Sequence, residues 1–130
     1  MQKIILSETD KKILSEYSEN QKPNESCAIL FGKNDIVSDL FLTENIEESP
    51  VNFTISNDQL IEGYKIAEQK GLDVIGIFHS HPDSDAFPSS TDKKFMQSNP
   101  VVWIIYSGIN KNFRAFVLES EIVEIPIELN

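Results

Sequence analysis

The stretch that most restricts the fold is Val-Ile-Gly-Ile-Phe-His-Ser-His-Pro, residues 74–82. Its first five residues are apolar and partly β-branched, the composition of a buried strand. Residues i and i+2 of a strand point to one side, so His79 and His81, the only two histidines in the chain, aim their imidazoles at one point. Pro82 cannot donate to a sheet ladder, which ends the strand there and leaves the pair at its exposed end. Asp92 follows within Ser89-Ser90-Thr91-Asp92, which reads as the start of a helix with Ser89 and Asp92 on one face.

Two neutral imidazoles and one carboxylate make a three-ligand zinc set that leaves the fourth tetrahedral position to water. Water bound in that way ionises near pH ~7, so hydroxide is available under neutral conditions. Hydrolysis would still need a base to shuttle the proton and a donor to hold the oxyanion. Each element also has a plainer reading. The histidines can be packed or solvent-facing, and Ser89-x-x-Asp92 resembles a capping box whose purpose is structural.

The length of 130 residues fits one domain, 1–130, with an ordinary core. The formal net charge of -10 repels phosphate backbones and argues against nucleic acid as a partner. The acidic residues at 44–48, 83–85 and 119–128 read as solvated surface. The longest apolar run, residues 101–106, is far short of the ~20 needed to cross a bilayer, so no membrane partner is expected. The first residues are too short in apolar character for a secretory signal, and a lone cysteine, Cys27, excludes an internal disulfide; together they predict a cytoplasmic protein. Oligomeric state is not legible.

Along the chain, residues 4–6 are a short strand or a lead-in segment, and Ser7 offers a cap to a helix whose apolar positions are Ile13, Leu14 and Tyr17, ending before Asn20. Residues 25–32 read as a buried strand headed by Glu25, joined by a turn to residues 36–42 as a hairpin. A buried carboxylate needs a partner; taken alone, Glu25 is expected at the solvent rim or paired with a lysine. Residues 43–51 read as a loop or flap without a motif, and 52–55 as a short extended piece. Ser56-Asn57-Asp58 caps a second helix with Leu60, Ile61, Tyr64, Ile66 and Ala67 on its apolar face and Gly71 at its end. Residues 101–106 form a central strand, and 113–119 and 122–129 an antiparallel pair.

The pattern Glu25, His79-Ser80-His81-Pro82, Ser89, Asp92 resembles that of the JAMM (MPN-plus) metalloprotease family, zinc isopeptidases that remove ubiquitin and ubiquitin-like proteins. The order of elements is similar from about residue 7 to 118. The resemblance implies an α/β fold of the cytidine-deaminase-like MPN/JAB kind, a mixed β-sheet flanked by helices. It implies one zinc ion held by His79, His81 and Asp92, with Glu25 as the proton shuttle and Ser89 as the oxyanion donor. Ala28 departs from the glycine that many members carry. The insertions of the larger eukaryotic members have no counterpart, so the chain looks like a minimal, stand-alone archaeal or bacterial member.

Three functions follow from that resemblance. The leading one is a zinc isopeptidase cleaving after the C-terminal Gly-Gly of a ubiquitin-like modifier. A second is release of an amino acid such as cysteine from a sulfur-carrier protein. The third is a non-catalytic MPN scaffold, which the intact motif argues against. Cys27 and Trp103 are expected in the core, and Phe53 and Phe87 beside the site as lining of a groove.

Overall fold

The computed structural model describes residues 2–130. Its elements run β1 (Ile4–Leu6), α1 (Glu8–Gln21), β2 (Cys27–Lys33), β3 (Ile36–Thr43), α2 (Asn57–Gln69), β4 (Asp73–His81), α3 (Ser90–Ser98), β5 (Val102–Ser107), β6 (Phe113–Leu118), β7 (Ile122–Ile125) and β8 (Ile127–Leu129). They form a mixed sheet of order β7-β6-β5-β4-β2-β3-β1-β8, with helices packed on both faces, as the α/β expectation requires.

The β2–β3 hairpin turns through Asn34, whose φ of 56° suits a residue that tolerates the left-handed region. β4 pairs antiparallel with β2 and parallel with β5. The parallel pair needs a crossover, and α3 supplies it, which brings the N-terminus of α3 to the C-terminal end of β4. Leu14 of α1 packs with Ala28, Leu30, Phe78 and Ile104 on one face of the sheet. Ala67 of α2 and Met96 of α3 pack with Ile29, Ile77, Trp103 and Ile105 on the other.

Three expectations are corrected. The C-terminal run 122–129 is two strands, because Pro126 lacks the N–H a continuous ladder would use. β7 then pairs with β6 at one edge and β8 with β1 at the other, so the sheet curls until its edges meet at Pro126, whose carbonyl accepts from the Ile4 N–H at 3.1 Å. In α1, Leu14 and Ser18 are the buried positions, Ile13 faces outward, and the helix runs on to Gln21. In α2, Gly63 and Ala67 face the sheet while Ile61 and Tyr64 are exposed. The reason is close approach: a Cβ on Gly63 would lie 2.9 Å from Ile29 Cδ1, so small residues define the buried face. No helix among the described residues is long and apolar enough to cross a membrane.

Candidate active site

The alternation of β4 puts Ile77, His79 and His81 toward α3 and sends Phe78 and Ser80 to the opposite face. Both imidazoles are buried, at 0% and 5% exposure. Beyond His81 the chain must turn, and β5 holds that turn: Gly108 N–H donates to His81 O at 2.8 Å, and Ser107 Oγ donates to Ser84 O at 2.7 Å. A Cβ on Gly108 would sit 2.4 Å from the Pro82 carbonyl, so only glycine permits this approach.

Asp92 arrives on the first turn of α3. Ser89 is the N-cap: its Oγ accepts from the Asp92 N–H at 3.1 Å, while the Ser89 N–H donates to Asp92 Oδ2 at 2.9 Å. The capping box expected as the plainer reading is therefore present, and it also aims Asp92. Asp92 Oδ2 lies 3.1 Å from His79 Nε2 and 3.0 Å from His81 Nε2, and the two Nε2 atoms are 3.1 Å apart. Four-coordinate zinc with ligands at ~2.0–2.1 Å needs neighbouring ligand atoms ~3.3 Å apart, close to these separations.

The protonation pattern favours a cation at this point. His81 Nδ1 is 2.9 Å from the Asp85 carbonyl, which can only accept, so Nδ1 carries the proton. Neutral His81 then directs the Nε2 lone pair at a carboxylate oxygen and a second imidazole, an arrangement that either a proton or a metal ion relieves. Burial opposes charge on His81, but the Asp92 and Asp85 contacts outweigh it and raise its pKa. For Asp92, burial is likewise outweighed by the two histidines and the Ser89 N–H, which hold its carboxyl below the usual carboxylate range. Burial lowers His79, whose Nδ1 has no hydrogen-bond partner. Among the described residues, His79, His81 and Asp92 are the His, Cys, Asp and Glu side chains grouped so that they could hold a metal ion.

Glu25 is placed differently from the sequence expectation. It lies two residues upstream of β2 rather than heading it, yet the antiparallel register continues past Cys27↔His79, since the Ser80 N–H donates to Ser26 O at 3.0 Å. Glu25 therefore faces His81 across the strand gap. It is buried at 4% exposure, and its Oε1 has no hydrogen-bond partner, neither at a solvent rim nor paired with a lysine. Burial pushes its pKa up to about 8.

That shift has a stability consequence in metal-free protein. With the folded pKa raised above the unfolded one, the stabilisation is fully present below about pH 4.5 and is lost as pH rises toward about 8. Glu25→Gln stays neutral throughout. We expect it to match the wild type near pH 5 and to exceed it by on the order of 2–4 kcal/mol above pH 8, measured by chelator-treated urea melts across that range. Equal pH dependence of the two proteins would contradict a buried, unpaired Glu25.

Phe53 stacks on the His79 ring at a centroid distance of 4.7 Å, and Trp103 meets that ring edge-on at 5.7 Å. Phe53 and Trp103 also line a cavity of about 170 Å³ with Ile55, Leu60, Ile77 and Phe95. Phe87 packs edge-on against Phe116 with Arg114 over its ring. Cys27 is a core thiol. Burial raises its pKa to about 11, while its sulfur accepts from Thr43 Oγ1 at 3.2 Å. The loop of residues 44–55, in which the sequence displayed no motif, holds Glu25 through Asn45. A lone asparagine in a loop carries no signal that could have marked it.

The fold is that of known JAB and MPN proteins. A JAB1/MPN domain protein from Archaeoglobus fulgidus superposes with a TM-score of 0.64 at 22% identity, covering 96% of this chain and 98% of that one. A Desulfitobacterium hafniense protein superposes with a TM-score of 0.88 at 24% identity, covering 98% and 92%. A family model described as prokaryotic homologs of the JAB domain matches residues 9–119, and the chain belongs to that family. The desampylase of Pyrococcus furiosus is 34% identical over 79% of this chain and 74% of its own. A probable TtuB-protein conjugate cleaving protease of Thermus thermophilus is 29% identical over 88% and 72%. The CysO-cysteine peptidase of Mycobacterium tuberculosis is 24% identical over 87% and 82%.

Proposed function

We propose that this chain is a zinc-dependent isopeptidase that hydrolyses the bond after the C-terminal Gly-Gly of a ubiquitin-like modifier. As a member of the JAMM-type family it is a hydrolase. The observation that carries the finer reading is the convergence of three potential ligand atoms within about 3 Å, with a buried carboxylate whose Oε1 has no partner just upstream of the facing strand. A scaffold has no need of either.

In this reading His79, His81 and Asp92 hold the ion, and zinc supplies Lewis acidity and an activated water. Glu25 Oε1 takes the proton of the attacking water and passes it to the departing amine. Burial raises the Glu25 pKa in the metal-free protein, and a bound cation would draw the carboxyl back toward the ionised form that accepts a proton. Ser89 Oγ uses a lone pair to cap α3, which leaves its hydroxyl proton free to donate to the developing oxyanion. Phe53 and Trp103 bound the His79 side of the site and keep water from that flank.

The second reading is cleavage of an amino acid from the terminal glycine of a sulfur-carrier protein, and the mycobacterial CysO-cysteine peptidase supports it. The two are separated by giving the zinc-loaded protein both a modifier joined through its terminal glycine to a lysine side chain and a carrier–cysteine adduct. Faster release from the isopeptide, read by intact mass, is expected. Cleavage of the adduct alone would establish the second reading.

A further inference from the structure

Both main-chain polar groups of Glu25 are held by the loop of residues 44–55 and not by a sheet ladder. The Glu25 N–H donates to Ser49 O at 2.8 Å, and the Glu25 carbonyl accepts from Asn45 Nδ2 at 3.1 Å. The same Asn45 amide group donates to Asn52 O at 2.9 Å, and its Oδ1 accepts from the Glu47 and Thr54 N–H groups, each at 3.1 Å. The Ile46 N–H closes the loop onto Thr54 O at 3.1 Å. One half-buried side chain thus joins the backbone of Glu25 to the far limb of the loop, where Phe53 stacks on His79. On the outer side of the loop Ile46 and Val51 are exposed.

We propose that Asn45 is the positioning residue for Glu25, locking the 44–55 loop so that the Glu25 carboxyl and the His79 ring are carried as one unit. The proposal rests on the reading of Glu25 as the proton shuttle. Its physical basis is that the carboxylate Oε1 touches no donor, so its direction is set by its backbone, which Asn45 and Ser49 of the loop hold. A misplacement of about 1 Å at a reacting group costs up to ~100-fold in rate.

Asn45→Asp separates this role from general loop stability. It keeps the oxygen that accepts from Glu47 and Thr54 but replaces the donor to Glu25 and Asn52 with a second acceptor. With zinc content at one per chain, kcat should fall by at least about ten-fold while KM changes by less than about two-fold. Glu25→Gln is run in parallel and is expected to be inactive. Asn45→Asp within about two-fold of wild-type kcat, beside an inactive Glu25→Gln, would overturn the positioning role. An active Glu25→Gln would instead overturn the shuttle reading beneath it. A measurement on the metal-free wild type needs neither turnover nor a folded variant: the amides of Glu25 and Thr54 should exchange with solvent at rates within about three-fold, as one opening unit. Thr54 exchanging more than about 100-fold faster would mean that the loop opens without moving Glu25, and would contradict the proposal.

Discussion

Glu25→Gln should bind zinc as the wild type does and lose turnover by roughly 10²–10⁴-fold. The amide is nearly isosteric with the carboxyl and fits the same buried space, so neither fold nor ligand set is disturbed. What it removes is the ability to accept a proton from water and return it to the leaving amine. The three converging atoms of His79, His81 and Asp92 are untouched by the change, because Glu25 makes no hydrogen bond to any of them. Single-turnover cleavage beside metal analysis separates the two quantities. An active variant would sink the assigned role. Loss of zinc with loss of activity would mean that Glu25 serves the metal site itself.

Asp92→Ala should be the most damaging single change, because one side chain does three jobs. Asp92 Oδ2 is the common neighbour of both imidazoles and accepts from the Ser89 N–H at the start of α3. Loss of outer partners of metal ligands alone costs ~10–100-fold in affinity, so removing a ligand should weaken zinc by more than about 100-fold. Losing the Asp92 half of the capping box leaves the Ser89 N–H without its acceptor and adds on the order of 1 kcal/mol of destabilisation, independent of metal. Zinc at 100 times its Kd stabilises the wild type by ~2.7 kcal/mol, and that increment should vanish in the variant. Melts with and without zinc read both effects. An undiminished zinc-induced rise in Tm for Asp92→Ala would exclude Asp92 as a ligand.

Much of the fold and of the site was legible because local chemistry and the final geometry agree. The β-branched run ending in His-x-His-Pro is a strand with both imidazoles on one face, and Ser89-x-x-Asp92 is a helix start. Strand period and capping preference are local properties, and no long-range contact overrode them. What the sequence left open is set by pairing over distance. Pro126 marks a break, but nothing local says that residues 127–129 join the far edge of the sheet beside β1. The outward Ile61 and Tyr64 of α2 follow from how closely Gly63 approaches β2, which depends on packing rather than periodicity. Glu25 read as a strand head because the apolar run begins just after it, whereas its backbone groups are taken by Ser49 and Asn45. Asn45 matters through five backbone partners, and a network of that kind leaves no spacing pattern to find.

The most direct test of the account is cleavage by the zinc-loaded protein of a ubiquitin-like modifier joined through its terminal glycine to a lysine side chain, followed by intact mass. Release of the modifier with a free C-terminal glycine is expected, abolished by a chelator and restored by added zinc. Release that persists in the chelator, or no release from protein carrying one zinc per chain, would contradict it.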